Sequence, residues 1–139
     1  RHVRTLTHDD PGSWSAVTLS VGTKRLVLLN PSHSHARRAS DLMHELSHLV
    51  IGHDPSRVDV TEDGTLLVNT YDGDQEDEAN WLAGTLLLPR PALIHIRSRG
   101  ADLAWVGREY GVSIDMLRYR LNITGVEYQL RTRKRLAKG

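Results

Sequence analysis

The sequence predicts an α+β fold, in which a small sheet is followed by several helices. Two β-rich runs near the start, "WSAVTLSV" and "KRLVLLN", are separated only by a Gly-Thr pair, which is typical of adjacent strands in an antiparallel hairpin. From Ser34 onward the apolar residues recur with helical spacing. A chain of 139 residues can bury one core but hardly two, so we expect a single domain over residues 1–139.

The bulk composition excludes several classes of protein. Eighteen Lys and Arg residues against 17 Asp and Glu residues give a net charge of +1, so the whole chain carries no charge signal for nucleic acid or membrane. The absence of cysteine excludes a disulfide framework and a thiolate nucleophile, and it fits a reducing compartment, for which we expect the cytoplasm. No apolar run has membrane-spanning length, and "RHVRTLTHDD" has no signal core and no initiator Met, so we expect a trimmed chain without a membrane partner.

The first long helix is predicted to begin at Ser34 and to end at Gly52. A stripe through Leu42, Leu46 and Val50 is expected to face the core. The following stretch "VDVTEDGTLLV" contains an Asp-Gly turn between short apolar runs, which predicts a second small hairpin. The sheet is therefore expected to be small and antiparallel or mixed.

A second helix is predicted over "DQEDEANWLAGTLLLP", because acidic residues fill its first turn and a proline ends it. A short helix follows Pro91. The segment 101–125 then predicts a pair of helices around a Gly-Val-Ser turn, with Ser113 as the N-cap and Gly125 as the terminator. The last residues, 131–139, are expected to form a basic tail.

The chemistry is concentrated in "MHELSH" on the first helix. His44 and His48 are four residues apart, so both imidazoles project from one helix face and can reach one metal ion. Glu45 is then placed to contact a water on that ion. This is the HExxH pattern, in which two neutral imidazoles hold zinc and the glutamate acts as the general base.

A third ligand is needed, and the second helix offers the best candidate. Glu76 and Asn80 are four residues apart, which places a carboxylate and an amide on one face: the carboxylate can complete the metal site, and the amide can hydrogen-bond a ligating histidine. Glu78 competes with Glu76, but it projects about 200° away around the helix. Asp54 would suit an extended metzincin pattern, yet the glycine that this pattern needs arrives one residue late, as Gly52.

Three segments together resemble the ImmA/IrrE-type metallopeptidases. They are "NPSHSHARRASDLMHELSHLVIGH", "EDEANWLAGTLLLP" and "YGVSIDMLRYRL", and with the strands they cover roughly residues 14 to 125 in the family's order. The chain departs from the family pattern at Ser47, where a glycine is usual, and at Leu82, where an aromatic residue is usual. We expect the N-terminal helix that often precedes the strands in this family to be missing or very short here.

The resemblance implies a zincin-like minimal metallopeptidase domain. By it, His44, His48 and Glu76 correspond to the metal ligands and Glu45 corresponds to the catalytic base. Zinc is the expected metal, with manganese as the alternative. The implied substrate is a transcriptional repressor of the helix-turn-helix type, cleaved in a stress or mobile-element response. Tyr71, His53 and His95 all remain candidates for the group that stabilises the oxyanion.

A different function is suggested by the C-terminal segment. "ADLAWVGREYGVSIDMLRYRL" looks like a helix-turn-helix, and Arg118, Arg120 and the basic tail could contact DNA phosphates. The alternative hypothesis is therefore a DNA-binding regulator with a structural or sensory metal. Nucleic acid could also act on a peptidase as an activator. We favour the peptidase, because this length hardly permits a separate DNA-binding core.

Overall fold

The computed structural model describes residues 14–21, 23–53, 58–60, 66–68 and 72–137. These residues form an α+β structure of two short antiparallel hairpins and six helices. The chain divides into two compact units, Arg1–Ala83 and Gly84–Gly139, and each is described by itself. The single domain expected from the length stays a prediction.

The described part of the first unit contains a hairpin that packs against a helix. Strands β1 (Ala16–Val21) and β2 (Lys24–Leu29) pair in antiparallel register, with Ala16 opposite Leu29 and Val21 opposite Lys24. Both strands contact helix α1 (His35–Ile51). A second hairpin joins β3 (Val58–Val60) to β4 (Leu66–Val68). The predicted hairpins are confirmed, and they form two separate sheets within the described residues.

The turn between β2 and α1 is fixed by the buried side chain of Asn30. Its amide donates to the Trp14 carbonyl at 2.7 Å, while its oxygen accepts from the backbone and the hydroxyl of Ser32 at 3.0 and 2.7 Å. Ser34 then caps α1 by accepting from the Arg37 N–H at 3.3 Å. The "NPSHS" segment therefore ends the hairpin and starts the helix through side-chain hydrogen bonds to the backbone.

Helix α1 ends at Gly52, which adopts φ 85°. This left-handed conformation is the usual C-terminal stop of a helix, and the N–H groups of Gly52 and His53 both donate to the His48 carbonyl at 3.0 Å. Val50, predicted to face the core, is 73% exposed. Eight residues turn an α-helix by about 80° beyond two full turns, so Val50 lies off the face of Leu42.

Helix α2 (Gly73–Leu87) has two acidic residues in its first turn, as the sequence predicts, and buries Ala79 and Ala83 in the first unit. The boundary between the units falls within this helix, after Ala83. Glu76 and Asn80 stand on the same helix at the spacing expected for one face.

The second unit contains four further helices around an apolar core. They are α3 (Arg90–Ser98), α4 (Leu103–Tyr110), α5 (Ile114–Ile123) and α6 (Val126–Leu136). Asp102 caps α4 by accepting from Trp105 N–H at 2.8 Å, and Ser113 caps α5 by accepting from Met116 N–H at 3.0 Å. The predicted helix pair is thus confirmed. The core of the second unit comprises Leu88, Leu93, Ile96, Val106, Val112, Leu117, Leu121 and Val126.

The segment predicted as a basic tail is helical as far as Leu136. Helix α6 buries Val126, and two long-range contacts fasten its first turns: Arg97 Nε to Glu127 Oε1 at 2.5 Å and Arg90 Nη2 to Gln129 Oε1 at 2.6 Å. The basic residues that follow remain exposed. Side-chain contacts with another helix therefore stabilise α6, and these contacts cannot be predicted from the local run of basic residues.

Arg120 is buried, contrary to the expectation that it could contact DNA phosphates. The residue is 3% exposed, and its Nε and Nη2 donate to the Leu88 carbonyl at 3.4 and 3.3 Å. Burial lowers the pKa of its guanidinium. The side chain thus satisfies a carbonyl just after the end of α2 and is unavailable to a ligand at the surface.

Candidate metal centre

Two helices of the first unit bring three potential metal ligands together. His44 and His48 on α1 have their Nε2 atoms 3.0 Å apart. Glu76 on α2 places Oε2 at 3.1 Å from His44 Nε2 and Oε1 at 3.4 Å from His48 Nε2. Among the described residues, this is the one group of three His, Cys, Asp or Glu side chains close enough to hold an ion.

The spacing of these atoms fits the ligand shell of a small divalent metal. Ligand bonds of 2.0 to 2.1 Å in a tetrahedron put neighbouring ligand atoms about 3.3 Å apart. The observed separations of 3.0, 3.1 and 3.4 Å lie close to that edge length. All three side chains are partly exposed, at 21–29%, so an ion held by them would be accessible to solvent. Three ligands with an open fourth position are typical of a catalytic rather than a structural site.

Asn80 holds the His44 ring in the orientation that a metal needs. Its Oδ1 lies 3.0 Å from His44 Nδ1. A carbonyl oxygen only accepts, so Nδ1 carries the proton and Nε2 keeps its lone pair toward His48 and Glu76. The predicted pairing of Asn80 with a histidine of the HExxH motif is therefore observed, one helical turn after Glu76.

The environment favours a neutral His48. Burial lowers the pKa of its imidazole below the ordinary value, and the neighbouring His44 lowers it further, while Glu76 acts in the opposite direction. A neutral imidazole is the form that ligates a metal. The lowered pKa therefore favours the form of His48 that can bind a cation.

Glu45 points toward the first hairpin. Its Oε2 accepts a hydrogen bond from the Thr18 hydroxyl of β1 at 2.5 Å. Thr18 is therefore a site contact that the HExxH pattern does not reveal, because it depends on how β1 packs on α1. A short hydrogen bond to one carboxylate oxygen fixes the orientation of the Glu45 side chain, which directly follows His44 in the sequence.

The two competing acids of α2 have different partners. Glu76 lies with His44 and His48, whereas Glu78 Oε2 lies 3.0 Å from His53 Nε2. The angle of about 200° between positions two apart on a helix explains why they separate. The other alternative, Asp54, lies outside the described residues, as does Tyr71.

His53, a candidate from the sequence for the oxyanion donor, lies in the loop directly after the end of α1 and contacts His48. Its Nδ1 lies 2.9 Å from His48 Nδ1, and its side chain is only 7% exposed. The left-handed Gly52 turns the chain back so that the next residue packs on the last turn of α1. The sequence feature that indicates this contact is a histidine directly after the glycine that ends the helix. Both ring nitrogens of His53 are engaged, so it is a poor oxyanion donor.

The serine that replaces the family's usual glycine fits without disturbing α1. Ser47 is completely buried, and its hydroxyl donates to the Met43 carbonyl one turn earlier at 2.8 Å. The hydroxyl therefore has a partner inside the helix, so its burial leaves no unsatisfied donor. This departure from the family pattern leaves His48 in place.

Comparisons with known proteins identify one family. The family described as Peptidase_M78, IrrE N-terminal-like domain, matches residues 3–122, which is most of the chain. No curated protein matches the sequence, and no solved structure matches it. Among the described residues, no helix combines the length and apolar character needed to cross a membrane.

Proposed function

The chain belongs to the Peptidase_M78 family and is a metallopeptidase, and from that premise we propose that it is a zinc-dependent endopeptidase that cleaves a helix-turn-helix repressor. The observation that carries the proposal is the convergence of His44, His48 and Glu76 at ligand distances, with Glu45 next to the first ligand. We assign the three as metal ligands, Glu45 as the catalytic base and Asn80 as the residue that orients His44.

The proposed reaction is hydrolysis of a peptide bond. The ion, when bound, polarises the scissile carbonyl and lowers the pKa of a coordinated water to about 7. Glu45 accepts a proton from the attacking water and delivers it to the leaving amine nitrogen, so that one carboxylate acts as base and then as acid. Thr18 holds Glu45 through Oε2. Asn80 keeps His44 in the tautomer that leaves Nε2 free for ligation.

Zinc is the proposed ion because two imidazoles and one carboxylate form a donor set that zinc commonly uses in catalytic sites. Manganese is the alternative, since a carboxylate ligand also suits it. A protein substrate follows from the family. We place the reaction in the cytoplasm because the chain has no cysteine, and we propose that the substrate strand adds to the β1–β2 sheet, whose Thr18 contacts the base.

The choice of a repressor as substrate is supported by the resemblance of the motifs, and it can be tested in cells. New protein N-termini should be mapped after production of wild type and of Glu45→Gln, which keeps the ligands but lacks the base. We expect termini that depend on wild type, within helix-turn-helix proteins. Termini confined to other proteins would refute the substrate class, and identical patterns for the two chains would refute the endopeptidase.

A contribution from nucleic acid is a second proposal, favoured by exposed basic residues of α6. They are Arg131, Arg133, Lys134 and Arg135, and Arg118 on α5 is also exposed. Phosphate contacts of this kind weaken steeply with salt. We expect any DNA binding to be lost when the four α6 residues are changed to Gln and to be unaffected by Arg120→Gln, because Arg120 is buried. Binding that survives the α6 changes would refute this role.

A further inference from the structure

His53 and Glu78 form a hydrogen-bonded chain that ends on a proposed metal ligand. His48 Nδ1 lies 2.9 Å from His53 Nδ1, and His53 Nε2 lies 3.0 Å from Glu78 Oε2. The His53 side chain is 7% exposed, whereas that of Glu78 is 65% exposed. These hydrogen bonds therefore connect the exposed carboxylate of Glu78, through the buried ring of His53, to Nδ1 of His48.

The chemistry of the acceptors fixes the direction of both hydrogen bonds. An ionised carboxylate only accepts, so His53 Nε2 carries the proton that lies toward Glu78. A neutral His53 then has a lone pair on Nδ1, and the contact between the two Nδ1 atoms requires the proton to reside on His48. His48 in turn has its lone pair on Nε2, the atom that faces Glu76 and His44.

The consequence is that two imidazole lone pairs face each other. Asn80 fixes the same tautomer of His44, and the two Nε2 atoms are 3.0 Å apart with no proton assigned between them. Two lone pairs at this distance repel unless a positive charge lies close to both. The hydrogen bonds on the far sides of the rings therefore prepare the site for a cation.

We propose that His53 and Glu78 are positioning residues that hold His48 as its Nδ1–H tautomer and thereby present Nε2 to the metal. This inference rests on the proposed function, in which His48 is a ligand. His53 acts through its acceptor nitrogen, and Glu78 acts one step further away by orienting the His53 ring. The backbone contributes as well, because the left-handed Gly52 is what returns His53 to the last turn of α1.

Two substitutions of His53 separate the acceptor from simple packing. His53→Leu fills similar space without an acceptor, whereas His53→Gln supplies an amide oxygen that can accept from His48 Nδ1–H. Loss of a group behind a metal ligand typically lowers metal affinity about 10- to 100-fold. We therefore expect His53→Leu to weaken zinc binding by about that factor and His53→Gln to stay within a few-fold of wild type.

The substitution Glu78→Ala has a matched control in Asp77→Ala, the neighbouring exposed acid on α2. Both changes remove one negative charge near the site, but Glu78 alone is paired with His53. Because Glu78 is largely exposed, water can partly replace it, and we expect a loss of less than about tenfold. Asp77→Ala should bind zinc as wild type does.

The measurement is zinc affinity of the full chain by competition with a chromogenic chelator, with folding checked by circular dichroism. Equal affinities for wild type and His53→Leu overturn the proposal, and so does an equal loss in His53→Leu and His53→Gln, which would indicate packing. If His53→Leu does not fold, the Glu78→Ala and Asp77→Ala pair decides, and equal affinities overturn it. A wild type that binds no zinc or manganese refutes the proposed function itself, whereas a zinc-binding wild type with an unaffected His53→Leu refutes only this inference.

Discussion

Whether Gly84→Ala raises or lowers the free energy of unfolding is predicted to depend on Arg120. Gly84 lies in the last turn of α2, and a Cβ built on it would approach Arg120 Cδ to 2.9 Å. In a helix, Gly→Ala ordinarily stabilises by about 1 kcal/mol, and less near an end. Here the arginine cannot withdraw freely, because its guanidinium donates to the Leu88 carbonyl.

The expected result is a double-mutant cycle with strong coupling. Arg120→Ala alone should cost about 2–4 kcal/mol, because it leaves the buried Leu88 carbonyl without its donors and removes packed methylene groups. Gly84→Ala should be neutral or destabilising in the wild type but should stabilise the Arg120→Ala chain by about 0.5–1 kcal/mol. The coupling energy should therefore be at least about 0.5 kcal/mol.

The assay is urea unfolding followed by far-ultraviolet circular dichroism on the four chains. Arg118→Ala provides the matched control: its side chain is 64% exposed, so its removal should change the free energy of unfolding by no more than about 0.5 kcal/mol. The same stabilisation by Gly84→Ala in both backgrounds would refute the close contact. A negligible effect of Arg120→Ala would refute the argument that Arg120 satisfies a buried carbonyl.

Three further predictions concern the base, the metal ligand and the core. Thr18→Val should keep the metal content of the wild type but lower kcat about tenfold or more on any cleaved substrate. The reason is that the Glu45 carboxylate loses a hydrogen bond, and a hydrogen bond to a charged group contributes about 1.5–3 kcal/mol. An unchanged kcat would show that Thr18 does not hold the base. In the metal-free chain, folding lowers the pKa of His48, so below about pH 6.5 the folded state binds fewer protons than the unfolded state. The free energy of unfolding should therefore be fully retained above pH 6.5 and fall as the pH drops below it, with a smaller fall in His48→Gln. Equal falls in the two chains would contradict the lowered pKa of His48. Leu117→Ala should destabilise the second unit by about 2–5 kcal/mol in urea unfolding because Leu117 is completely buried, whereas Ile114→Ala, 37% exposed, should cost less; equal costs would contradict the described core.

Helical periodicity explains most of what the sequence predicted about the site. His44 and His48 are one turn apart on α1, and Glu76 and Asn80 are one turn apart on α2, so each pair shares a face before any tertiary contact is known. The same rule separated Glu78 from Glu76. These pairs could be predicted because their relation is local.

Contacts between elements could not be predicted in this way. Thr18 contacts Glu45 from a strand 27 positions earlier, and His53 contacts Glu78 across 25 positions. Arg120 looked like a surface charge because arginine usually is one, and only its contact with the Leu88 carbonyl explains its burial. The helical end of the chain likewise depends on Arg97 and Glu127, which lie 30 positions apart.

Metal content measured by mass spectrometry tests the two-helix site most directly. Purified wild type and Glu45→Gln should each carry one zinc or manganese ion per chain, because the base is not a ligand, while His44→Ala and Glu76→Ala should lose it. Full occupancy in Glu76→Ala would contradict the assignment of the third ligand. A wild type that stays metal-free after reconstitution with zinc and with manganese would contradict the metal centre as a whole.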